Sequence, residues 1–168
     1  MREVLEDLIC EMKHPTFNRR LGRYLERNQR SVKSFESSFH EKRFKNQIEK
    51  MDFNDKNHLA AMYLLTADRR IWVSFEEEIS QKGITYDLIT KLNSDEEYVL
   101  FQVAKDIIDG TKHITLSDIS NARCVKPKLF LIICKAISIC RYGIGAVGIT
   151  PEIVGEETVP YMQKLEAG

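Results

Sequence analysis

The sequence predicts an all-α fold, a single-domain bundle of several helices with an irregular C-terminal tail. Two observations lead to this prediction. Apolar residues recur at intervals of three and four between Val4 and Tyr142, which places them on one side of successive helices. Residues that favour helix starts and helix ends stand at the limits of these stretches. We therefore expect a helical domain over residues 1–142 and an irregular tail over residues 143–168, in a chain of 168 residues that is long enough to bury its own core.

The N-terminal third predicts two helices. A first, short helix carries Val4, Leu5 and Leu8 and ends before Pro15. When the residues of the second predicted helix are placed around its axis at about 100° per residue, one side of the helix is apolar and the other carries arginines. The apolar side consists of Leu21, Tyr24, Leu25, Val32, Phe35 and Phe39. The arginine stripe on the other side consists of Arg19, Arg20, Arg23, Arg27 and Arg30. We expect residues 1–36 to form an amphipathic, arginine-rich helical extension packed on the rest of the domain.

The later helices are predicted from their ends. Capping boxes are indicated at Ser38–Glu41 and Ser94–Glu97, and Asn54 or Asp55 is a further candidate cap. Gly110 and Gly143 are placed to end helices, and Pro127 is placed in a first helical turn. The helix from Leu129 to Tyr142 is apolar on almost every side, so we expect it at the centre of the bundle.

Charge is unevenly distributed along the chain. The formal net charge is zero, but residues 13–45 contain ten basic and three acidic residues, and residues 74–109 contain three basic and nine acidic residues. Arginine binds phosphate and carboxylate groups through a planar fork of N–H donors. From Arg19 to Arg30 the stripe would run about 16 Å, long enough for two or three backbone phosphates. Either the stripe is a surface for an acidic partner or a polyanion, or it pairs with the acidic middle of the same chain.

Several classes of protein are disfavoured. The N-terminal residues Glu3, Glu6 and Asp7 do not suit a signal peptide, and Lys135 and Arg141 interrupt the most apolar segment. We expect a cytoplasmic protein without a membrane-spanning segment, whose four cysteines are reduced thiols placed mostly in the core. Oligomeric state stays open, including a homo-oligomer.

No motif indicates a cofactor, a metal or a catalytic site. Residues 143–148 match G-x-G-x-x-G, but a dinucleotide site needs a strand before the glycines and a helix after them, and Pro151 follows at once. We interpret the motif as a glycine-rich turn. The histidines show no metal-ligand spacing with one another or with cysteine. The acidic triplets Glu76–Glu78 and Asp95–Glu97 suit solvated faces and helix starts. We therefore expect a non-enzymatic protein with no cofactor and no metal.

Part of the chain resembles a known family. The segments that carry the resemblance are Phe39–Phe44, Asp55 with Ala60–Leu65, Phe101–Gly110 and Ala136–Tyr142. From Ser37 to about Tyr142 the chain resembles small helical bacterial proteins of unassigned function, found in Firmicutes and their mobile elements. The resemblance implies a helical fold and a bacterial or phage setting, and it implies no catalytic residues. The arginine stripe lies outside the resembling region.

Three functional hypotheses remain, and the third, an enzyme, is the one that no residue pattern specifically supports. The first is a non-enzymatic interaction or regulatory protein that uses its basic helical face against an acidic protein, with inhibition of a host nucleoprotein as one variant. The second is a protein that binds the nucleic-acid backbone without reading sequence. Because Tyr24, Phe35 and Phe39 are predicted opposite the arginines, we expect no base stacking at this face.

Overall fold

The computed structural model describes residues 1–82 and 86–151, and within these ranges the fold is helical with no β-strand. The all-α prediction is confirmed. The α-helices are α1 (Arg2–Glu11), α2 (Pro15–Arg27), α3 (Ser38–Ile48), α4 (Lys56–Ala67), α5 (Arg69–Lys82), α6 (Asp95–Asp109), α7 (Leu116–Ser120) and α8 (Pro127–Tyr142). Two 3₁₀ helices span Tyr86–Lys91 and Ile144–Val147. Among the described residues, no helix combines the length and the apolar character needed to cross a bilayer.

Two helices, α4 and α8, form the centre of the bundle. Residues 129–136 of α8 are all buried, and α8 packs against α4, α1 and α6. Helix α4 is buried just as extensively and also contacts α3, α5 and α6. The predicted central position of α8 is confirmed, and α4 shares it. On the outside, α1 and α2 pack on each other, with α1 against α8 and α2 against α7.

Most of the predicted helix ends are present. Ser94 Oγ accepts a hydrogen bond from the Glu97 amide at 3.2 Å, and Gly110 ends α6 with φ at 69°. Asp55 caps α4, and Pro127 occupies the first turn of α8. For α3 the capping residue is Ser37 rather than Ser38, because Ser37 Oγ accepts from the His40 amide at 3.1 Å.

The predicted length of the second helix is wrong. Helix α2 ends at Arg27, and residues 28–37 are irregular. Tertiary contacts account for this path: Phe35 is buried against His40, Phe44 and Tyr63, and the Tyr63 hydroxyl donates to the Ser34 carbonyl. A continuous helix could not bring Phe35 into this aromatic cluster, so burial outweighs the local periodicity.

An ion pair between Lys135 and Glu36 holds the same irregular segment against α8. Lys135 interrupts the apolar sequence of α8, and its side chain is only 2% exposed. Its Nζ lies 3.0 Å from Glu36 Oε1, and the Glu36 side chain is 18% exposed. A buried ammonium needs such a partner, so the ion pair holds residue 36 over α8.

The chain remains packed beyond Tyr142. The 3₁₀ helix Ile144–Val147 lies against α8, and Ile144, Val147 and Ile149 are buried. The beginning of the segment expected to be an irregular tail therefore belongs to the core, and the rest of it, residues 152–168, lies outside the described residues.

The cysteine prediction is correct only in part. All four cysteines are free thiols, with Cys134 buried and Cys140 half-buried. Cys10 and Cys124, however, are exposed, so the expectation that the thiols lie mostly in the core was wrong. Cys10 lies on the outer side of α1, and Cys124 lies in the connection between α7 and α8.

Candidate functional site

The arginine side of α2 faces a cleft rather than open solvent. The cleft has a volume of about 360 Å³ and lies between α2 and the connection from α7 to α8. We call it the arginine cleft. Its α2 wall consists of Thr16, Arg19, Arg20, Arg23, Tyr24 and Arg27, and its opposite wall of Ser120, Ala122, Pro127 and Phe130. Four of the five predicted arginines therefore lie together.

Arg19, Arg23 and Arg27 form a row along one edge of the cleft. They follow one another at four-residue spacing, so they rise about 6 Å apart and extend over about 12 Å of helix. All three are exposed. Among the side chains that the structure describes, no carboxylate forms an ion pair with any of them.

The acidic middle of the chain finds its partners elsewhere. Glu78 pairs with Lys91, Glu97 lies 3.6 Å from Arg70, and Glu96 pairs with Lys126. Within the described part of the chain, the predicted alternative in which residues 74–109 cover the stripe is therefore not seen. The row in the cleft keeps its donors available for another anion.

Arg20 has a structural position within the same cleft. Its guanidinium donates to the Ile119 carbonyl at 2.8 Å and to the Val125 carbonyl at 2.6 Å, and lies 4.2 Å above the Phe130 ring. Burial lowers the pKa of Arg20 from its usual value. These contacts join α2 to α7, to the connection after it and to α8, and so hold the two walls together.

We expect Arg20→Met to lower the free energy of unfolding by about 2–3 kcal/mol, since two charge-assisted hydrogen bonds are lost and two carbonyls lose their partner. The matched control is Arg19→Met, an exposed arginine one residue away, for which the change should stay within about 0.5 kcal/mol. Urea unfolding followed by circular dichroism measures both. Equal effects for the two variants would contradict the structural assignment of Arg20.

Arg30 does not belong to the site. Because α2 ends at Arg27, Arg30 lies in the irregular segment, is exposed and does not line the cleft. Its inclusion in the stripe was wrong, for the same reason that the helix was predicted to be too long. The chain direction changes at Asn28, whose side-chain amide donates to the Tyr24 carbonyl at 2.9 Å and covers the end of the helix.

Both ends of α2 are held in place. At the start, His14 Nδ1 accepts from the Phe17 amide, and the Asn18 side chain donates to the Met12 carbonyl at 2.7 Å. At the end, Arg2 Nη1 donates to the Leu25 and Asn28 carbonyls at 3.0 and 2.9 Å. The row of arginines is thus presented on a helix whose position is already set before any ligand binds.

The floor of the cleft is apolar. Tyr24, Pro127 and Phe130 line it, and the Phe17 ring packs edge-on against Phe130 with the ring centroids 5.5 Å apart. The Phe130 side chain is 2% exposed and lies under Arg20, so its ring offers no face for a base. The arrangement suits a carboxylate or phosphate on the row together with an apolar group below it.

A cleft of about 400 Å³ beside α6 and α7 carries polar groups that are already satisfied by one another. His14 Nδ1 accepts from a backbone amide, so its proton lies on Nε2, which faces Ser117 Oγ at 3.4 Å as a donor. In this tautomer His14 cannot remove the serine proton. The pair therefore holds α2 to α7 and does not form a catalytic dyad.

The carboxylate of Asp106 in the same cleft likewise has all its hydrogen bonds within the protein. Burial opposes its ionisation, but donors from Ile114, Thr111, His113 and Gln102 hold the pKa of the carboxyl below its usual value. Gln102 donates from within α6, and the other three donors close the turn after α6, which is a structural use of a buried carboxylate. Among the described residues, no group of three histidine, cysteine or acidic side chains is placed to hold a metal.

The glycine motif lacks the context of a dinucleotide site. It follows helix α8 instead of a strand, and Gly143 and Gly148 adopt positive φ values of 78° and 79° on either side of the 3₁₀ helix. The interpretation as a glycine-rich turn agrees with this geometry.

Sequence reasoning missed the opposite wall of the arginine cleft. Ser120, Ala122 and Pro127 are about a hundred residues away from α2 in the chain, and no local pattern connects the two segments. No protein-family model, curated protein or solved structure matches this chain.

Proposed function

We propose that this protein is a non-enzymatic interaction protein that binds an acidic segment of a partner protein in the arginine cleft. One observation carries the proposal: three exposed arginines, without an acidic partner among the described residues, line a preformed cleft with an apolar floor. Arginine beside a pocket for apolar side chains is the usual composition of an interface hot spot. Regulation of the partner, including inhibition of a host nucleoprotein, would follow from occupying its acidic surface.

The setting is part of the same proposal. The resemblance to small helical proteins of Firmicutes and their mobile elements supports a bacterial or phage origin and action in the cytoplasm. A row spaced at about 6 Å matches carboxylates at positions i and i+4 of a helix, because both rows have the same rise per residue. We therefore favour an amphipathic acidic helix as the bound segment.

The second candidate function is sequence-independent binding of a nucleic-acid backbone by the same row. It is favoured by Arg123, an exposed cation next to Ala122 in the opposite wall. Phosphate binding releases condensed counterions, so three duplex phosphate contacts would weaken affinity about fortyfold between 50 and 200 mM salt.

We expect Arg23→Glu/Arg27→Glu to abolish binding to an acidic amphipathic peptide while the melting temperature changes little, because exposed charges contribute little to folding. The matched control is Arg30→Glu/Lys33→Glu, which makes the same charge change at two exposed positions outside the cleft. A fluorescein-labelled helical peptide with glutamates at i, i+4 and i+8 and leucines between them is the probe, and fluorescence anisotropy is the measurement.

Three results bear on the proposal. The same peptide with its leucines replaced by serine should bind at least tenfold more weakly, since the apolar floor is then unused. Equal loss of binding in the control variant would show that only net charge matters and would overturn the cleft assignment. Tighter binding of a 16-base-pair duplex than of the peptide would favour the nucleic-acid alternative.

A further inference from the structure

A second basic cleft lies on the other side of the first turn of α8. It has a volume of about 640 Å³ and is bounded by the start of α3, the junction of α4 with α5, and the start of α8. Its cations are Arg43, Arg69, Arg70 and Lys128, its acids are Glu36 and Asp68, and its aromatic residue is Phe39. Pro127 and Phe130 line the arginine cleft, whereas Lys128 lines this one, so the two are separate sites.

Phe39 is the most unusual residue of the second cleft. Its predicted position was on the apolar side of a long helix, but it lies in the first turn of α3 and is 71% exposed. Base stacking was not expected for a Phe39 buried opposite the arginines, whereas the observed, exposed ring can stack on a base. Here the ring lines a cleft that is also lined by four cationic side chains.

The acids of the second cleft are already engaged, and so are two of its four cations, since Arg43 donates to a backbone carbonyl and Arg70 pairs with Glu97. Glu36 binds Lys135, and Asp68 Oδ1 accepts from the Arg70 and Ile71 amides at the start of α5. Arg43 Nε donates to the Thr66 carbonyl, which leaves its other N–H donors. Arg69 and Lys128 form no ion pair within the described ranges, and Arg70 lies 3.6 Å from Glu97.

The N-termini of helices add to the positive charge of the second cleft. Three helices begin at the cleft: α3 after Ser37, α5 at Arg69 and α8 with Lys128 in its first turn. The amide groups of a first turn carry partial positive charge and favour anions beside them, but at α5 Asp68 already accepts from two of these amides. The one helix that ends there, α4, has its Thr66 carbonyl covered by Arg43. The cleft as a whole therefore attracts an anion.

We propose that the second cleft binds single-stranded nucleic acid, with an unpaired base on the Phe39 ring and backbone phosphates on Arg69, Arg70 and Lys128. Exposed aromatic rings next to cations are the recurring elements of single-strand binding, because every base has a face that can stack. In a duplex both faces of a base are occupied by its neighbours, so stacking on Phe39 selects single strands. This site is independent of the acidic-partner function proposed for the arginine cleft.

We expect the protein to bind a fluorescein-labelled twelve-nucleotide oligo-dT more tightly than a duplex of the same length, and Phe39→Ala to weaken that binding by about tenfold or more. Val73→Ala is the matched control, because Val73 is also 71% exposed but does not line the cleft. Phe39→Trp should retain binding, and oligo-dT should quench the new fluorescence. The natural Trp72 is buried, so the two signals are separable.

Arg69→Gln/Lys128→Gln should weaken binding and reduce the slope of log affinity against log salt by about 1.4, the value for two single-strand phosphates. Unchanged affinity in Phe39→Ala, or binding of the duplex as tight as that of oligo-dT, would overturn the inference. So would displacement of oligo-dT by polyglutamate of equal charge at equal concentration, which would indicate an acidic protein as the ligand.

The two sites are distinguished by testing the variants of each cleft with the ligand proposed for the other. Arg23→Glu/Arg27→Glu should keep at least half of the oligo-dT affinity, and Phe39→Ala should keep full affinity for the acidic peptide. Loss of oligo-dT binding in Arg23→Glu/Arg27→Glu, with none in Phe39→Ala, would assign nucleic acid to the arginine cleft and contradict the inference. Melting curves of each variant confirm that the compared proteins are folded.

Discussion

Glu36→Ala is expected to lower the free energy of unfolding by about 3–5 kcal/mol, because it leaves the buried Lys135 ammonium without its counter-charge. The loss is large even though the Glu36 side chain keeps some contact with solvent, because it is the lysine that is almost completely enclosed. Urea unfolding at pH 7 measures the effect.

A double variant removes the Lys135 charge together with its partner, the Glu36 carboxylate. Lys135→Met has a similar length and no charge, so Glu36→Ala/Lys135→Met should recover most of the stability that Glu36→Ala loses. The three variants form a double-mutant cycle in which the pair accounts for an interaction energy of at least about 2 kcal/mol. Additive effects of the two single changes would show that the ion pair does not hold residues 28–37 over α8.

Acidification from pH 7 to pH 4 is expected to destabilise the protein through His40, whose burial in the aromatic cluster lowers its pKa to about 4. The nearby cations Arg43 and Lys135 act in the same direction, and the bond to the Tyr63 carbonyl opposes them. In the unfolded chain the histidine pKa is about 6.5, so between these values only the unfolded state takes up the proton. The stabilising contribution is complete above pH 6.5 and is lost as the pH falls, by about 3 kcal/mol at the acid limit.

The measurement is the free energy of unfolding in urea at several pH values between 4 and 7.5. His40→Gln should be less stable at pH 7 but should lose clearly less stability on acidification, since the titrating group is gone. If His40→Gln and the unmodified protein lose equal stability between pH 6.5 and pH 4, then carboxylates, and not His40, carry the acid sensitivity.

The parts of the fold that were predicted correctly depend on local chemistry. Ser94 caps α6, Gly110 ends it and Pro127 begins α8 because each acts on residues within one turn of itself. The apolar character of α8 likewise predicted its central position. Such features can be predicted from a few neighbouring residues, without the rest of the chain.

The errors come from contacts between distant segments. The extension of α2 to Phe39 failed because Phe35 and Glu36 bind residues that are 28 and 99 positions further along the chain. The use of Arg20 as a link to Ile119 and Val125 could not be predicted, since nothing in residues 15–27 distinguishes it from Arg19 or Arg23. The exposure of Phe39 was likewise decided by where α3 begins.

The bonds from Arg2 to the end of α2 make residues 2–28 a closed unit. The Arg2 guanidinium joins the beginning of α1 to the last turn of α2. The two helices are therefore linked at both ends of the hairpin, because near the turn the Asn18 side chain donates to the Ile9 and Met12 carbonyls. Fraying of α2 from its C-terminus, which would release Arg27 first, then requires the start of α1 to detach too. Amide protons of that last turn should exchange with solvent only through opening of the whole hairpin, and the cleft should lose its row of arginines in one cooperative step.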